Sequence, residues 1–324
     1  MMSAQADAGW AWTENTCVCG GPSVSALCVA RDFNMGATDR QSVILACREC
    51  GGLHPAIFPD ADARPAAYRD YYTGARPARF WRSWPRQIAD ATRRGYLDRQ
   101  TPAAARRVLD YGCGAGAYLA RMTRRNPAPA CAGTDALKPD DNGQAFAWLS
   151  ASEVLAARPF DWITLGHVVE HLDDPAAAVR LLADKLLLDG GLWIATPNAA
   201  SFIIASAGPW ARDIDFPRHR QIFSRKGLEQ LLAGAGLSAR FLPAPRLNAL
   251  LNVASTLGNI AGDRSASRRD RAAAALMTIV RLLAHLASPA SRRSINAPEL
   301  VAVCARGYGG GDQKGRLIES PTAL

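Results

Sequence analysis

Short apolar runs alternate with stretches of helical period through the middle of this chain, and the alternation sets the expected architecture. Arg106–Gly112 (RRVLDYG), Ala130–Asp135 (ACAGTD), Phe160–Gly166 (FDWITLG) and Gly190–Asn198 (GGLWIATPN) each read as a strand. Nearly continuous apolar runs bounded by glycine and aspartate suit strands covered on both faces. Strand and helix taking turns imply right-handed βαβ units and a parallel sheet. Beyond Phe223 the period predicts a helix over Ser224–Gly234, then a strand at Leu237–Pro243, while Glu299–Ala305 (ELVAVCA) supplies a strand that closes the sheet. The expected class is α/β, doubly wound and mostly parallel. Between the last two strands lies an insertion, about 246–298, with apolar helical stretches around Leu247–Ile260 and Ala272–Ala287.

The flanks read differently. Residues 1–63 form a tail and a Cys- and Gly-rich module with short apolar runs such as Ser42–Ala46. Such a module is too small to be held by a core alone. Residues 64–105 form a linker, with helical period from Pro65 to Gln100 that sets Arg76, Arg79, Arg82 and Arg86 close to one face and Trp81 and Trp84 nearby. The main domain spans 106–306, and 307–324 has the polar, Gly-rich character of a disordered tail.

The net charge is +9, but its placement says more than its total. Residues 1–63 hold three basic and seven acidic residues, whereas 64–107 hold eleven arginines against Asp70, Asp90 and Asp98. That second segment suits an anionic partner or a solvated helix face. The N-terminus lacks a basic, apolar leader, and no apolar run is long enough to span a bilayer. The expected location is cytoplasmic, with peripheral contact at the inner membrane face left open by the insertion. Its arginines at 264, 268, 269, 271, 292 and 293 flank an apolar helix, an arrangement that suits anionic lipid or, equally, a homodimer interface.

The chemistry concentrates after the first strand of the main domain. Asp110 precedes a loop with glycines at 112, 114 and 116, which lets backbone approach a ligand at a helix N-terminus. Asp135, nineteen residues beyond Gly116, ends the next strand, where a carboxylate can accept both hydrogen bonds of a ribose diol. LDYGCGAG, GTD, FDWITLGHVVEHLDDP and LLLDGGLWIATPN, in that order and spacing, resemble the four signature blocks of class I S-adenosylmethionine-dependent methyltransferases. DFPRHRQIFSRKGLEQLLAGAGL is similar to the segment after the fifth strand in bacterial methyltransferases of the methyltransferase-11 and methyltransferase-23 type, many of which modify sugars, surface polysaccharides or quinone precursors. The resemblance covers about Arg106 to Gly236 and implies a seven-stranded Rossmann-like sheet. It also implies S-adenosylmethionine as cofactor, with Gly112, Gly114 and Gly116 along its methionine end, Asp110 organising the loop, Asp135 on the ribose and His167 at the fourth strand's tip. One position departs from the family pattern: the loop around Trp148–Glu153 lacks the usual acid for the adenine amino group.

A sulfonium cofactor carries an activated methyl, so in-line placement of an acceptor is the protein's main task. A hydroxyl acceptor must also lose a proton, for which a histidine is suited. His171 and His219 are the candidate bases, with His167 beside them; packing or capping is the plainer role for each. His167–His171 also matches the H-x-x-E-H zinc-protease pattern. An apolar strand runs directly into His167, which argues against a shared helix face and hence against that reading.

Cys17 and Cys19 form one close pair and Cys47 and Cys50 another, with glycines at 20, 21, 51 and 52. Four thiolates suit tetrahedral structural zinc in a ribbon-like module, with Cys28 as a substitute ligand. Some sugar methyltransferases similarly carry a four-cysteine zinc module ahead of the cofactor domain. Cys113, Cys131 and Cys304 fall on core elements as small hydrophobes. The expected function is methyl transfer to a small hydroxylated acceptor, a sugar, surface glycan or lipid-linked precursor. The alternative is a nucleic-acid-associated binding protein using the ribbon and the basic segment; three intact loop glycines with both aspartates favour the enzyme.

Overall fold

The computed structural model describes residues 10–73, 95–136, 146–288 and 296–307. Its centre is a seven-stranded sheet built from β6 (Arg107–Tyr111), β7 (Ala130–Thr134), β8 (Ala147–Trp148), β9 (Phe160–Gly166), β10 (Leu186–Pro197), β11 (Leu237–Leu242) and β12 (Glu299–Arg306). The spatial order is β11-β12-β10-β9-β6-β7-β8, and β12 runs antiparallel to both of its neighbours, β10 and β11. The order turns back at β6, which lies between β7 and β9, so the loops following β6 and β9 open a crevice at the sheet's carboxyl edge.

Side chains along each strand alternate between two buried layers. Leu109, Ile163, Leu165 and Ile194 pack on one face, while Val108, Trp162, Trp193 and Val303 pack on the other. Burial on both faces is why these strands read as unbroken apolar runs, and each such Leu, Ile or Val contributes about 1.5–3 kcal/mol. β10 starts earlier than its sequence pattern indicates, at Leu186, and carries an irregularity between Leu186 and Gly191. Cys113, Cys131 and Cys304 are buried among these layers, as expected of small hydrophobes.

The N-terminal module comprises a three-stranded antiparallel sheet, β2 (Ser23–Arg31), β3 (Gln41–Cys47) and β4 (Leu53–Pro55), and a two-stranded ribbon, β1 (Trp12–Glu14) with β5 (Ile57–Pro59). It packs directly on the main domain. Leu53 and Ile222 exchange backbone hydrogen bonds of 2.9 and 2.7 Å, Asn15 donates to the Arg220 carbonyl at 2.9 Å, and the Ser224 hydroxyl donates to the Cys50 carbonyl. The linker is helical over Arg64–Thr73 and over 95–100; the predicted Arg76, Arg79, Arg82, Arg86, Trp81 and Trp84 face lies outside the described residues, as does 308–324.

The insertion folds as two helices, Arg246–Gly262 and Arg268–Ala287. The first turns polar residues inward: Asn248, Asn252 and Thr256 are buried. Asn248 donates to Glu299 at 2.7 Å and Asn252 to Asp213 at 3.2 Å, so this helix closes over the carboxyl edge of the sheet. Among the described residues no helix is long and apolar enough to cross a membrane.

Candidate functional site

β6 delivers Asp110 to the floor of the crevice. Thr164 on the neighbouring β9 donates to its Oδ1 at 2.6 Å, and burial, opposed by that bond and aided by the Asp135 charge, pushes its carboxyl up to about 6. The loop beyond turns back on itself through backbone, with the Gly112 and Cys113 amides donating to the Thr134 carbonyl at 2.7 and 3.0 Å. Gly112 takes φ 83°, and a Cβ there would lie 2.1 Å from Val168 Cγ2, so only glycine suits both the conformation and the space. Gly112→Ala is therefore expected to destabilise the fold by about 1–3 kcal/mol, read from urea denaturation. Gly114 takes φ 52° with open space where its Cβ would be, and its amide donates to Asp135 Oδ2 at 2.8 Å. Asp110, the three glycines and Asp135 are thus brought together as the spacing predicted. Phe146 adds an apolar wall over Gly116 and Gly133.

Glu153 does not face this cradle. It closes a capping box on the helix Ala151–Ala156, accepting from the Ser150 amide at 2.7 Å. Glu153, at the end of the loop that departs from the family pattern, thus serves the backbone of its own helix.

On the other side of the crevice β9 is followed by His167, whose φ of 57° is rare for a side-chain-bearing residue and marks local strain at the site. Its amide is held by the Ala195 carbonyl at 2.8 Å. The ring lies between two carboxylates, Nδ1 3.5 Å from Glu170 and Nε2 3.5 Å from Glu299, and remains partly exposed. Burial opposes ionisation of Glu170, yet the His167 contact and the nearby imidazoles hold its carboxyl down at about 2. Val169–His171 forms a single 3-10 turn rather than an extended helix, and His171 pairs with His219, not with His167. The protease arrangement is therefore absent from these residues.

His171 and His219 meet edge to face with ring centroids 4.7 Å apart. Burial, reinforced by His171, lowers the His219 imidazole to about 4. Burial also drives the Asp213 carboxyl up to about 7, against the Arg212 charge. Next to them Arg218 is completely buried, donating to Asp32 of the N-terminal module and to Asp215, with shortest contacts of 2.6 Å to each. Glu170, Asp213, Arg218 and Glu299 were not picked out as site residues from sequence. Glu170 carried a signal in its place between two histidines; the others become polar partners only after the module, the post-β10 segment and β12 converge.

The four predicted cysteines also converge, with Sγ···Sγ distances of 3.3 Å for Cys17–Cys19 and 3.4 Å for both Cys17–Cys50 and Cys19–Cys47. The Gly21 and Gly52 amides point at Cys19 and Cys50 sulfurs at 3.4 and 3.3 Å, bonds that favour thiolates. The donor set fits a tetrahedral cation such as zinc. Cys28 lies on β2 outside this group.

A methyltransferase-domain family, number 23 of its series, matches residues 79–240, half of the chain. The chain belongs to this methyltransferase family. Among curated proteins it is similar to the ubiquinone biosynthesis O-methyltransferase of Xylella fastidiosa, 31% identical over 137 residues, covering 38% of this chain and 56% of that one. The counterpart of Ralstonia nicotianae is 29% identical over 162 residues, covering 46% and 68%. The chain spans about half the length of the first curated relatives it matches. Among solved structures, the plantazolicin methyltransferase BamL in complex with a triazolic desmethylPZN analog and SAH aligns with a TM-score of 0.44 at 14% identity, over 74% of this chain and 92% of that one.

Proposed function

We propose that this methyltransferase-family chain transfers a methyl group from S-adenosylmethionine to a hydroxyl of a small acceptor, a sugar, glycan or lipid-linked precursor. The observation that carries the reading is the cradle of Asp110, the glycine loop and Asp135 opening beside a histidine that two carboxylates flank. The names of the curated relatives, O-methyltransferases, support oxygen as the atom methylated.

The cofactor, when bound, supplies an electrophilic methyl. Gly112, Gly114 and Gly116 would follow its methionine end, and Asp135 would exchange its bond with the Gly114 amide for the ribose hydroxyls. His167 is the group best placed to receive the acceptor's proton, because the imidazolium it would become lies between Glu170 and Glu299. His219 is buried and His171 half-buried against it, and the pair would line the acceptor side. Calorimetry should show binding of S-adenosylmethionine and its demethylated product, with Asp135→Ala weakening both by at least about 10-fold, the equivalent of one charge-assisted hydrogen bond. No binding by the wild type, or equal binding by the variant, would remove the assignment. For the acceptor, mass spectrometry of a deletion strain should reveal a metabolite or glycan lacking one methyl group.

The lipid-linked class is favoured by the second insertion helix. Leu276, Ile279, Val280 and Leu283 recur along one face and are exposed with Met277, while Ala274, Thr278 and His285 turn inward. Arg264, Arg268, Arg269 and Arg281 are exposed on the same hairpin. An apolar stripe bordered by cations complements an anionic membrane surface. The protein should float with vesicles containing anionic lipid and stay behind with neutral ones, and Leu276→Ser with Leu283→Ser should abolish flotation. A stable dimer by light scattering without flotation would assign the face to a second copy instead.

The cysteine cluster is proposed to hold one structural zinc, supported by its donor set and its amide-to-sulfur bonds.

A further inference from the structure

We propose that Asn248 and Asp213 form a hydroxyl-reading subsite at the acceptor end of the crevice, so that the acceptor is a polyhydroxylated molecule keeping at least two free hydroxyls beside the one methylated. This deepens the methyl-transfer reading above and rests on it. Its basis is a pair of buried oxygens that the fold leaves unused. Among the described residues, Asn248 Oδ1 and Asp213 Oδ2 have no hydrogen-bond partner, on side chains that are each 2% exposed. Buried polar atoms in a folded protein are nearly always paired, so two orphans in one wall point to a ligand that completes them.

The bonds that fix these side chains decide which atoms remain. Asn248 gives its Nδ2 to Glu299 at 2.7 Å, which sets the carboxamide's orientation and leaves its oxygen over. Asn252, on the same helix Arg246–Gly262, gives its Nδ2 to Asp213 Oδ1 at 3.2 Å and leaves Oδ2 over. Residues four apart share a helix face, so both leftover oxygens belong to the wall which that helix closes. The wall stands beside the reacting groups. Glu299 lies 3.5 Å from His167, and the charges of His167, Glu170 and Glu299 all act on Asp213.

The chemistry of the two atoms sets the class of ligand. Both accept hydrogen bonds and neither donates, so each calls for an O–H on the acceptor molecule, and both hydroxyls stay free when a third is methylated. Burial opposes the charge on Asp213, and a hydroxyl donating to Oδ2 relieves that opposition. A phosphate or carboxylate on the same part of the acceptor is disfavoured, because Glu170, Asp213 and Glu299 together outweigh Arg212 and His167. The partly exposed ring of His167 is the side from which the acceptor reaches the wall. An analogue lacking the hydroxyls leaves both oxygens unsatisfied, which is how a site built to bond hydroxyls rejects it.

The test gives the full-length protein S-adenosylmethionine with a trideuterated methyl and an extract of cells that lack the protein, and finds the labelled product by mass spectrometry. Acetylation of that product should modify two or more hydroxyls. A product with fewer, or with an acidic group on the methylated ring, overturns the subsite and leaves methyl transfer standing. No labelled product at all removes the methyl-transfer reading, and the subsite with it. With the acceptor purified by this route, Asn248→Ala and Asp213→Ala should each raise KM about 10-fold while kcat stays within about twofold, as expected for loss of one hydrogen bond made equally in ground and transition states. Affinity for the demethylated cofactor should stay at the wild-type value, which a general loosening of the fold would not allow. An unchanged KM in both variants overturns the subsite. If the variants do not fold, the hydroxyl count of the wild-type product decides alone.

Discussion

Arg218→Met is expected to cost about 3–5 kcal/mol of stability, because it leaves two buried carboxylates without their shared cation. Asp32 reaches Arg218 from the N-terminal module and Asp215 from the segment after β10, and all three side chains are essentially without solvent contact. For a domain of this size the loss corresponds to a fall on the order of 10 °C in Tm. The deficit should depend on pH with a definite sign. In the wild type burial opposes ionisation of Asp215, but Arg218 holds its carboxyl far below the usual range. Its contribution is therefore present above the unfolded carboxyl's value of about 3.9 and is lost only as pH falls through the lower folded value. Without Arg218 the same burial raises the folded Asp215 carboxyl above the unfolded value, so the penalty grows as pH rises and shrinks as pH approaches about 4. Urea denaturation of both proteins at pH 7.5 and 4.5 measures this. A difference below about 1 kcal/mol, or one that does not narrow at the lower pH, would show that the guanidinium does not hold the module in place.

Cys47→Ser with Cys50→Ser is expected to release one zinc per chain and leave residues 15–60 open to protease. Three of the module's strands, β1, β4 and β5, have three residues each, and part of its closure lies in the four sulfurs. Metal binding worth about 10–16 kcal/mol in small zinc folds is folding free energy there, so its loss removes the fold. The effect should not stop at the module. Cys50 accepts a hydrogen bond from Ser224 through its carbonyl, and Leu53 pairs with Ile222, so release of the knuckle loosens the chain that carries Arg218 and His219. Plasma mass spectrometry for zinc, run beside limited proteolysis, reads both consequences. A wild-type module without metal that still resists protease would contradict the structural role.

Much of the molecule is legible in its sequence. The parallel strands are recognisable because both of their faces are covered, as with Trp162 and Ile163 on β9, which leaves no polar alternation to obscure the run. The glycine loop and Asp135 are legible because local geometry alone demands them: a left-handed turn at Gly112, an open approach at Gly114 and an acid at the tip of the next strand. The cysteine pairs are legible because tetrahedral sulfur sites tolerate few spacings. The two insertion helices were evident from their period, and the inward Asn248 and Asn252 explain why the first of them is not simply apolar.

By itself, then, the sequence determined the α/β sheet, the glycine loop and the paired cysteines, since each depends on contacts within a strand, a turn or a knuckle. Only the tertiary structure decided the rest. It set His171 against His219 instead of His167, because a strand end and a 3-10 turn aim residues four apart in different directions. It brought Asp32 across 186 positions to Arg218, and Glu299 from the start of β12 to the ring of His167. Such pairs leave no periodic trace, because burying a charge creates a demand for a partner that any distant segment can meet, and only the packing of the module, the insertion and the sheet edge chooses which one does.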